Sequence, residues 1–243
     1  FAYGFDGTAL EALQSAKGQN VYDGAVLYSE NEVNKKSASA LTAYETPNCL
    51  FSHDNGEVTQ NDVVWNVFSN AEESRFAFSF CDDGLDMAVR VKNVAPYFTG
   101  DKNGDNLIIG FDTFANGIVS DVAEFAIYTD SSMNSTVIKE TSPSICGDLP
   151  DNYNGAGEEV SGAVCFTENE GGFTLYRVHI PVSQLYPYFH TQNSDISFGL
   201  NYSDYNADGI CIKQSFWSAG EFYTKHYPWN FGRAYISGYD FTD

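Results

Sequence analysis

The chain has 243 residues, 43% of them hydrophobic and only 19% charged, which is ample material for one large core and unlike a disordered chain. With 12 Lys plus Arg against 33 Asp plus Glu, the net charge is −21. Such a surface repels nucleic-acid phosphates and anionic lipid and favours cations and neutral partners. No run approaches the roughly 18 apolar residues of a membrane-spanning helix, so neither nucleic acid nor a membrane is an expected partner.

Residues 1–45 are richer in Ala and Ser than the rest and read as an N-terminal extension packed on the main domain. Thr8–Ala16 has the pattern of a short helix, with Thr8 as cap and Glu11 completing a capping box. Val21–Ser29 reads as a strand. Apolar/polar alternation then predicts strands over Val63–Phe68, Arg75–Cys81, Leu85–Val91, Asn106–Asp112 and Glu124–Thr129. Residues 130–160, rich in Ser, Asn, Gly and Asp, read as a loop insertion. Further strands follow over Ala163–Thr167, Phe173–Ile180, Ile196–Tyr202, Gly209–Phe216 and Gly232–Ser237, with one helical turn expected within Pro181–Tyr188. Asp83-Gly84 and Gly171-Gly172 carry turn chemistry. Short strands at near-regular spacing imply one all-β domain, an antiparallel β-sandwich of jelly-roll type with few short helices.

The five cysteines show no C-x-x-C motif. Cys146 and Cys165 flank a loop that a disulfide would close, whereas Cys81 and Cys211 lie in apolar strands and read as buried thiols. The four histidines, His53, His179, His190 and His226, lack ligand spacing, and His179 reads as a packed strand residue.

Three segments, taken in order, resemble the family 9 carbohydrate-binding modules and their DOMON-like relatives. These are Phe76–Lys92 running into Gly104–Asp112, then Phe173–Leu185 with its strand ending in Ile180-Pro181, then Ile196–Asp208 followed by Trp217 and Phe231-Gly232. The resemblance covers roughly two thirds of the chain and rests on order and spacing together. It implies a β-sandwich that binds sugar, with structural calcium in some members. Of the family's polar sugar contacts, the amide position falls on Asn201, whereas the carboxylate position falls on Ile108 and the arginine position near Ala126. The clamping aromatics shift to the neighbourhood of Tyr97 and Phe98 on one side, and of Tyr227 and Trp229 on the other.

A sugar site needs an aromatic platform for the apolar pyranose face and planar polar groups for the hydroxyls. Trp229, Tyr227, Tyr223, Asn201 and Tyr97 are the candidates, with core packing as the alternative for each ring. Trp217 belongs by its alternation to the core. For calcium, Asp204-Tyr-Asn206-Ala-Asp208-Gly209 places oxygen ligands at D-x-N-x-D-G spacing. Asp101, Asn103 and Asp105 form a second acidic loop, and the ordinary hairpin turn is the alternative for both. Some DOMON-like relatives hold haem between Met and His, for which Met87 and His179 are the candidates. Catalytic motifs are lacking: there is no G-x-S-x-G, H-E-x-x-H or phosphate loop. The expectation is a non-catalytic, extracellular module of a larger bacterial chain that binds neutral plant polysaccharide and holds a structural calcium. The alternative is a structural or protein-interaction sandwich that has lost its sugar site.

Overall fold

The computed structural model describes residues 49–59, 63, 65–68, 71–81, 83–112, 122–142, 153–185, 195–217 and 231–235. The helix expected at Thr8–Ala16, the strand at Val21–Ser29 and the whole 1–45 extension lie outside these residues.

Among the described residues, twelve strands form two antiparallel sheets: β1 (Asn66–Phe68), β2 (Ala71–Cys81), β3 (Gly84–Lys92), β4 (Asn106–Asp112), β5 (Val122–Thr129), β6 (Ser135–Thr141), β7 (Glu158–Glu159), β8 (Val164–Glu170), β9 (Phe173–Pro181), β10 (Asp195–Tyr205), β11 (Cys211–Trp217) and β12 (Gly232–Tyr235). A five-stranded sheet runs β1-β2-β3-β9-β8, and a seven-stranded sheet runs β11-β10-β4-β5-β6-β7 with β12 paired to β10. The expected β-sandwich is therefore the observed architecture.

Alternation explains the layering. Phe76 and Phe78 of β2, Leu85, Met87 and Val89 of β3, and Tyr176, Val178 and Ile180 of β9 face inward. They meet Leu107, Ile109 and Phe111 of β4, Phe125 and Ile127 of β5, and Phe198, Leu200 and Tyr202 of β10 in one core. Period-2 side-chain geometry sends the intervening residues to the two outer faces. Trp217 lies in the core as expected, 5% exposed, with ring centroids 4.8 Å from Phe198 and 5.1 Å from Phe76. Gly232 makes room for it, since a Cβ there would lie 2.1 Å from the Trp217 ring.

Gly171 and Gly172 both take positive φ, 59° and 78°, in the two-residue turn closing β8 onto β9. That is the conformation glycine tolerates best. Gly84 has a different role from the turn expected of it. It is already in β3, opposite Cys81, and a Cβ would lie 2.2 Å from the Ile180 carbonyl of β9.

Three expectations need correction. The segment 130–160 is no simple loop insertion: it supplies β6, which pairs with β5 across Phe125↔Lys139 and Ala126↔Ile138, and the short β7. Cys211 is exposed rather than buried. Cys165 carries no disulfide; burial pushes its thiol up to about 12, while Cys146 lies outside the described residues. The helical turn after Pro181 is a single 3-10 turn, Val182–Gln184.

Candidate functional site

The outer face of the seven-stranded sheet is built from every second residue of β4, β5, β10 and β11. Register places Asn201 beside Ile108 on one side and Phe216 on the other, and Ile108 beside Ala126. Thus the three positions at which the family resemblance places amide, carboxylate and arginine form one row across the sheet. Only Asn201 is polar. It is 4% exposed, its Nδ2 donates to Ser203 Oγ at 3.3 Å, and its Oδ1 has no hydrogen-bond partner among the described residues. Leaving a buried acceptor without a partner costs roughly 1–3 kcal/mol.

Other polar groups share this face. Glu124 of β5 is 3% exposed and accepts from Thr141 Oγ1 at 3.1 Å. Asp112 of β4 is 1% exposed. The same face carries an apolar patch, in which Val122 and Phe231 are buried with Ile108 and Phe216 packed against them. Phe231 lies just beyond Trp229 in the chain. Trp229, Tyr227 and Tyr223 fall outside the described residues.

Tyr97 lies away from the Asn201 row, half-buried in the loop after β3, where its backbone N–H donates to Asp105 Oδ2 at 2.8 Å. Asp105 is an interior anchor, 1% exposed. Its Oδ2 also accepts from Asn93 Nδ2 at 2.8 Å, and its Oδ1 accepts from the Tyr205 N–H at 2.6 Å. These bonds hold the two acidic loops side by side.

Within the loops, carboxylate and amide oxygens close the chain on itself. Asp101 Oδ1 accepts from Thr99 Oγ1 at 2.8 Å and the Asn103 N–H at 2.9 Å, and its Oδ2 accepts from Asn103 Nδ2 at 3.1 Å. These contacts hold the Asp101 carboxyl below its ordinary value. Asn206 Oδ1 accepts from the N–H groups of Asp208 and Ile210, both at 3.0 Å. Burial, reinforced by Asp105, pushes the Asp204 carboxyl up. Beside it lies an open depression of about 280 Å³ lined by Lys92, Lys213, Asp204, Val94 and Ile212. None of these described lining residues is aromatic, and a sugar platform is not found there.

A second cluster, unforeseen from histidine spacing, lies on the opposite outer face, that of the five-stranded sheet. Asp86 of β3 stands across from His179 of β9 and is wholly buried. Its Oδ1 accepts from His179 Nδ1 at 2.9 Å and His53 Nε2 at 2.8 Å, and its Oδ2 accepts from the Leu50 N–H at 2.9 Å. The two imidazoles stack with centroids 3.9 Å apart. Leu50 and Phe51 pack on Ala77, so residues 49–59 cover this face and bring Cys49 and His53 over the β2–β3 turn. Cys49, His53, Cys81 and Asp83 converge there, as do His53, Cys81, Asp86 and His179. Met87 points from β3 into the core, whereas His179 is on the outer face beside Asp86. The sheet therefore separates the two residues, and they cannot hold one haem between them.

No protein-family profile matches the chain, and no curated protein matches it. Solved structures do. A family 9 carbohydrate-binding module from Caldicellulosiruptor kristjanssonii in complex with glucose superposes with a TM-score of 0.57 at 15% identity, covering 82% of this chain and 96% of that one. Its complex with cellotriose gives 0.57 at 14% identity, covering 83% and 94%. A putative carbohydrate-binding protein from Bacteroides uniformis gives 0.44 at 11%, covering 72% and 87%. The chain has the fold of the family 9 carbohydrate-binding modules, a two-sheet antiparallel sandwich.

Proposed function

We propose that this chain is a non-catalytic carbohydrate-binding module that binds neutral plant polysaccharide on the outer face of its seven-stranded sheet. The observation carrying the proposal is Asn201, a buried amide whose Oδ1 accepts from no hydrogen-bond donor among the described residues. It lies in a row that the sequence resemblance independently assigns to sugar contact. A ligand hydroxyl donating to Oδ1 would satisfy it. The fold, shared with modules solved with glucose and cellotriose, supports the same reading.

Trp229 supplies the stacking ring in this proposal, with Tyr227 and Tyr223. Phe231 is anchored on the sheet beside Ile108 and Phe216, and the two-residue connection back to Trp229 spans at most about 7 Å. The net charge of −21 favours a neutral glycan over an anionic one. An extracellular location and a larger parent chain belong to the same proposal. Calcium at the acidic loops would have to engage Asp204 and Asp208, because Asp101 and Asn206 close their own turns.

One observation favours the alternative. Ile108 and Ala126 occupy the row where a polar site needs charge, and Phe231 fills the space above Ile108. A structural or protein-interaction sandwich would be built in that way. Affinity electrophoresis against β-glucan, xylan and mannan, with a pull-down on insoluble cellulose, separates the two. The sugar reading expects retardation or pull-down that Asn201→Ala and Trp229→Ala each abolish while the fold is retained. Folded wild-type protein that none of these glycans retains would overturn it.

A further inference from the structure

The cluster over the β2–β3 turn has the donor set and spacing of a metal site. His53 Nδ1 lies 3.7 Å from Asp83 Oδ2, and Cys81 Sγ lies 3.3 Å from Asp83 Oδ1. The ligand atoms of Cys49, His53, Cys81 and Asp83 all lie within 4.8 Å of one another. A tetrahedral zinc ion, with Zn–S of about 2.3 Å and Zn–N of about 2.0 Å, needs donors separated by roughly 3.3–3.8 Å. These two separations, made by the two Asp83 oxygens, fall in that interval, and the four donors are compact enough to close on one ion.

A second observation points the same way. His53 Nε2 and His179 Nδ1 are both committed to the buried Asp86. The opposite ring nitrogens, His53 Nδ1 and His179 Nε2, face the same Asp83 oxygen at 3.7 and 4.0 Å, beyond hydrogen-bond reach. In neutral imidazoles those nitrogens carry lone pairs. The His53 Nδ1 lone pair and the Asp83 carboxylate then face each other, an arrangement that a cation between them resolves. A carboxylate holding the far side of an imidazole, as Asp86 does here, is the outer-shell arrangement that orients histidine ligands.

We propose that Cys49, His53, Cys81 and Asp83 bind a borderline-soft divalent cation, with zinc as the fitting ion, through two thiolates, Nδ1 and a carboxylate oxygen. Asp86 acts from behind as the positioning residue. Two thiolates and an imidazole select such an ion over calcium, which takes oxygen ligands. Asp83 is exposed and gives the ion its path from solvent. The ion would tie residues 49–53 to the β2–β3 turn, a structural role on the face of the sandwich opposite Asn201 and independent of the sugar proposal. Burial, reinforced by Asp86 and Cys49, pushes the Cys81 thiol far up, so an incoming metal must displace its proton.

The test is cobalt(II) titration of the full chain after reduction and chelator treatment, with thiols counted first. The wild type is expected to bind one equivalent, with a thiolate-to-cobalt charge-transfer band and the intense visible bands of tetrahedral cobalt, both bleached by one equivalent of zinc. Cys49→Ser should weaken the charge-transfer band. Asp83→Asn, at an exposed position, should lower affinity at least tenfold with unchanged circular dichroism, and Asp101→Asn in the distant acidic loop should bind as wild type. Fully reduced, folded protein that gives no charge-transfer band would overturn the proposal. So would bands unaltered in both Cys49→Ser and Asp83→Asn, or a Cys49–Cys81 disulfide that persists under those reducing conditions.

Discussion

Lys139 offers a quantitative test of the packing at the edge of the seven-stranded sheet. It is wholly buried, its Nζ 3.0 Å from Gln184 Oε1 and 3.5 Å from the centre of the Tyr153 ring. Burial lowers its pKa from 10.5 to about 7, against a smaller opposing effect of Glu158. At about 1.4 kcal/mol per pH unit that drop is a cost of about 5 kcal/mol at acid pH. Between pH 7 and 10.5 the unfolded chain holds the lysine proton and the folded chain does not, so this contribution to stability rises with pH. Above about 8.5 the buried thiols of Cys81 and Cys165, both pushed up by burial, act in the opposite sense, because the unfolded chain loses those protons first. The clean window is pH 7 to 8.5, over which Lys139 should add about 1.5 kcal/mol. Lys139→Met keeps most of the stem and leaves Gln184 Oε1 its bond from the Asn154 N–H at 3.1 Å. Urea unfolding at half-unit pH steps should show the wild type rising by about 1.5 kcal/mol relative to the variant, and the variant more stable by about 3 kcal/mol at pH 6 once the lost polar contacts are set against the desolvation. Parallel profiles for the two proteins would refute the reasoning.

Three other outcomes follow from single contacts. Gly232→Ala places a methyl 2.1 Å from the Trp217 ring, and overpacking of this kind should lower stability by about 3 kcal/mol in urea unfolding; an unchanged midpoint would mean that the ring has room to shift. Asp105→Ala removes three bonds from a buried carboxylate and should cost about 3–5 kcal/mol, with faster amide exchange at Tyr97 and Tyr205 as the local signature. If Asp204 and Asp208 hold calcium, a calcium-selective chelator should lower the melting temperature and added calcium restore it, since a cation relieves the burial that pushes Asp204 up; an unchanged melting temperature removes calcium from the proposal.

The sandwich was legible because most strands alternate cleanly. The span predicted for β4, Asn106–Asp112, is the observed one, and the Gly171-Gly172 turn fixes the β8–β9 register. β6 was hidden because its alternation breaks: Val137 faces the core, but the next inward residue is Lys139, wholly buried, while Ile138 points outward. Flanking turn residues then made the whole segment read as loop. The D-x-N-x-D-G spacing was equally ambiguous, since the oxygens that would cage a cation also serve to close a turn on backbone N–H groups, as Asn206 does.

The cluster around Asp86 was illegible for a topological reason. Asp86 lies between Leu85 and Met87, where alternation alone assigns it to solvent. It is buried because residues 49–59 fold over that face. His53 and His179 are separated from it by 33 and 93 residues, and neither shows ligand spacing with any other histidine. The β3–β9 register brings Asp86 and His179 together, and the packing of Leu50 and Phe51 on Ala77, with the Leu50–Asp86 bond, brings His53 down to both. The chemistry here is thus a product of strand order alone, whereas the Asn201 row, which equally needs β10 to pair with β4, also falls on segments that carry the family resemblance. A sequence search restricted to short spacings will miss sites of the first kind in any sandwich whose ligands come from neighbouring strands distant in the chain.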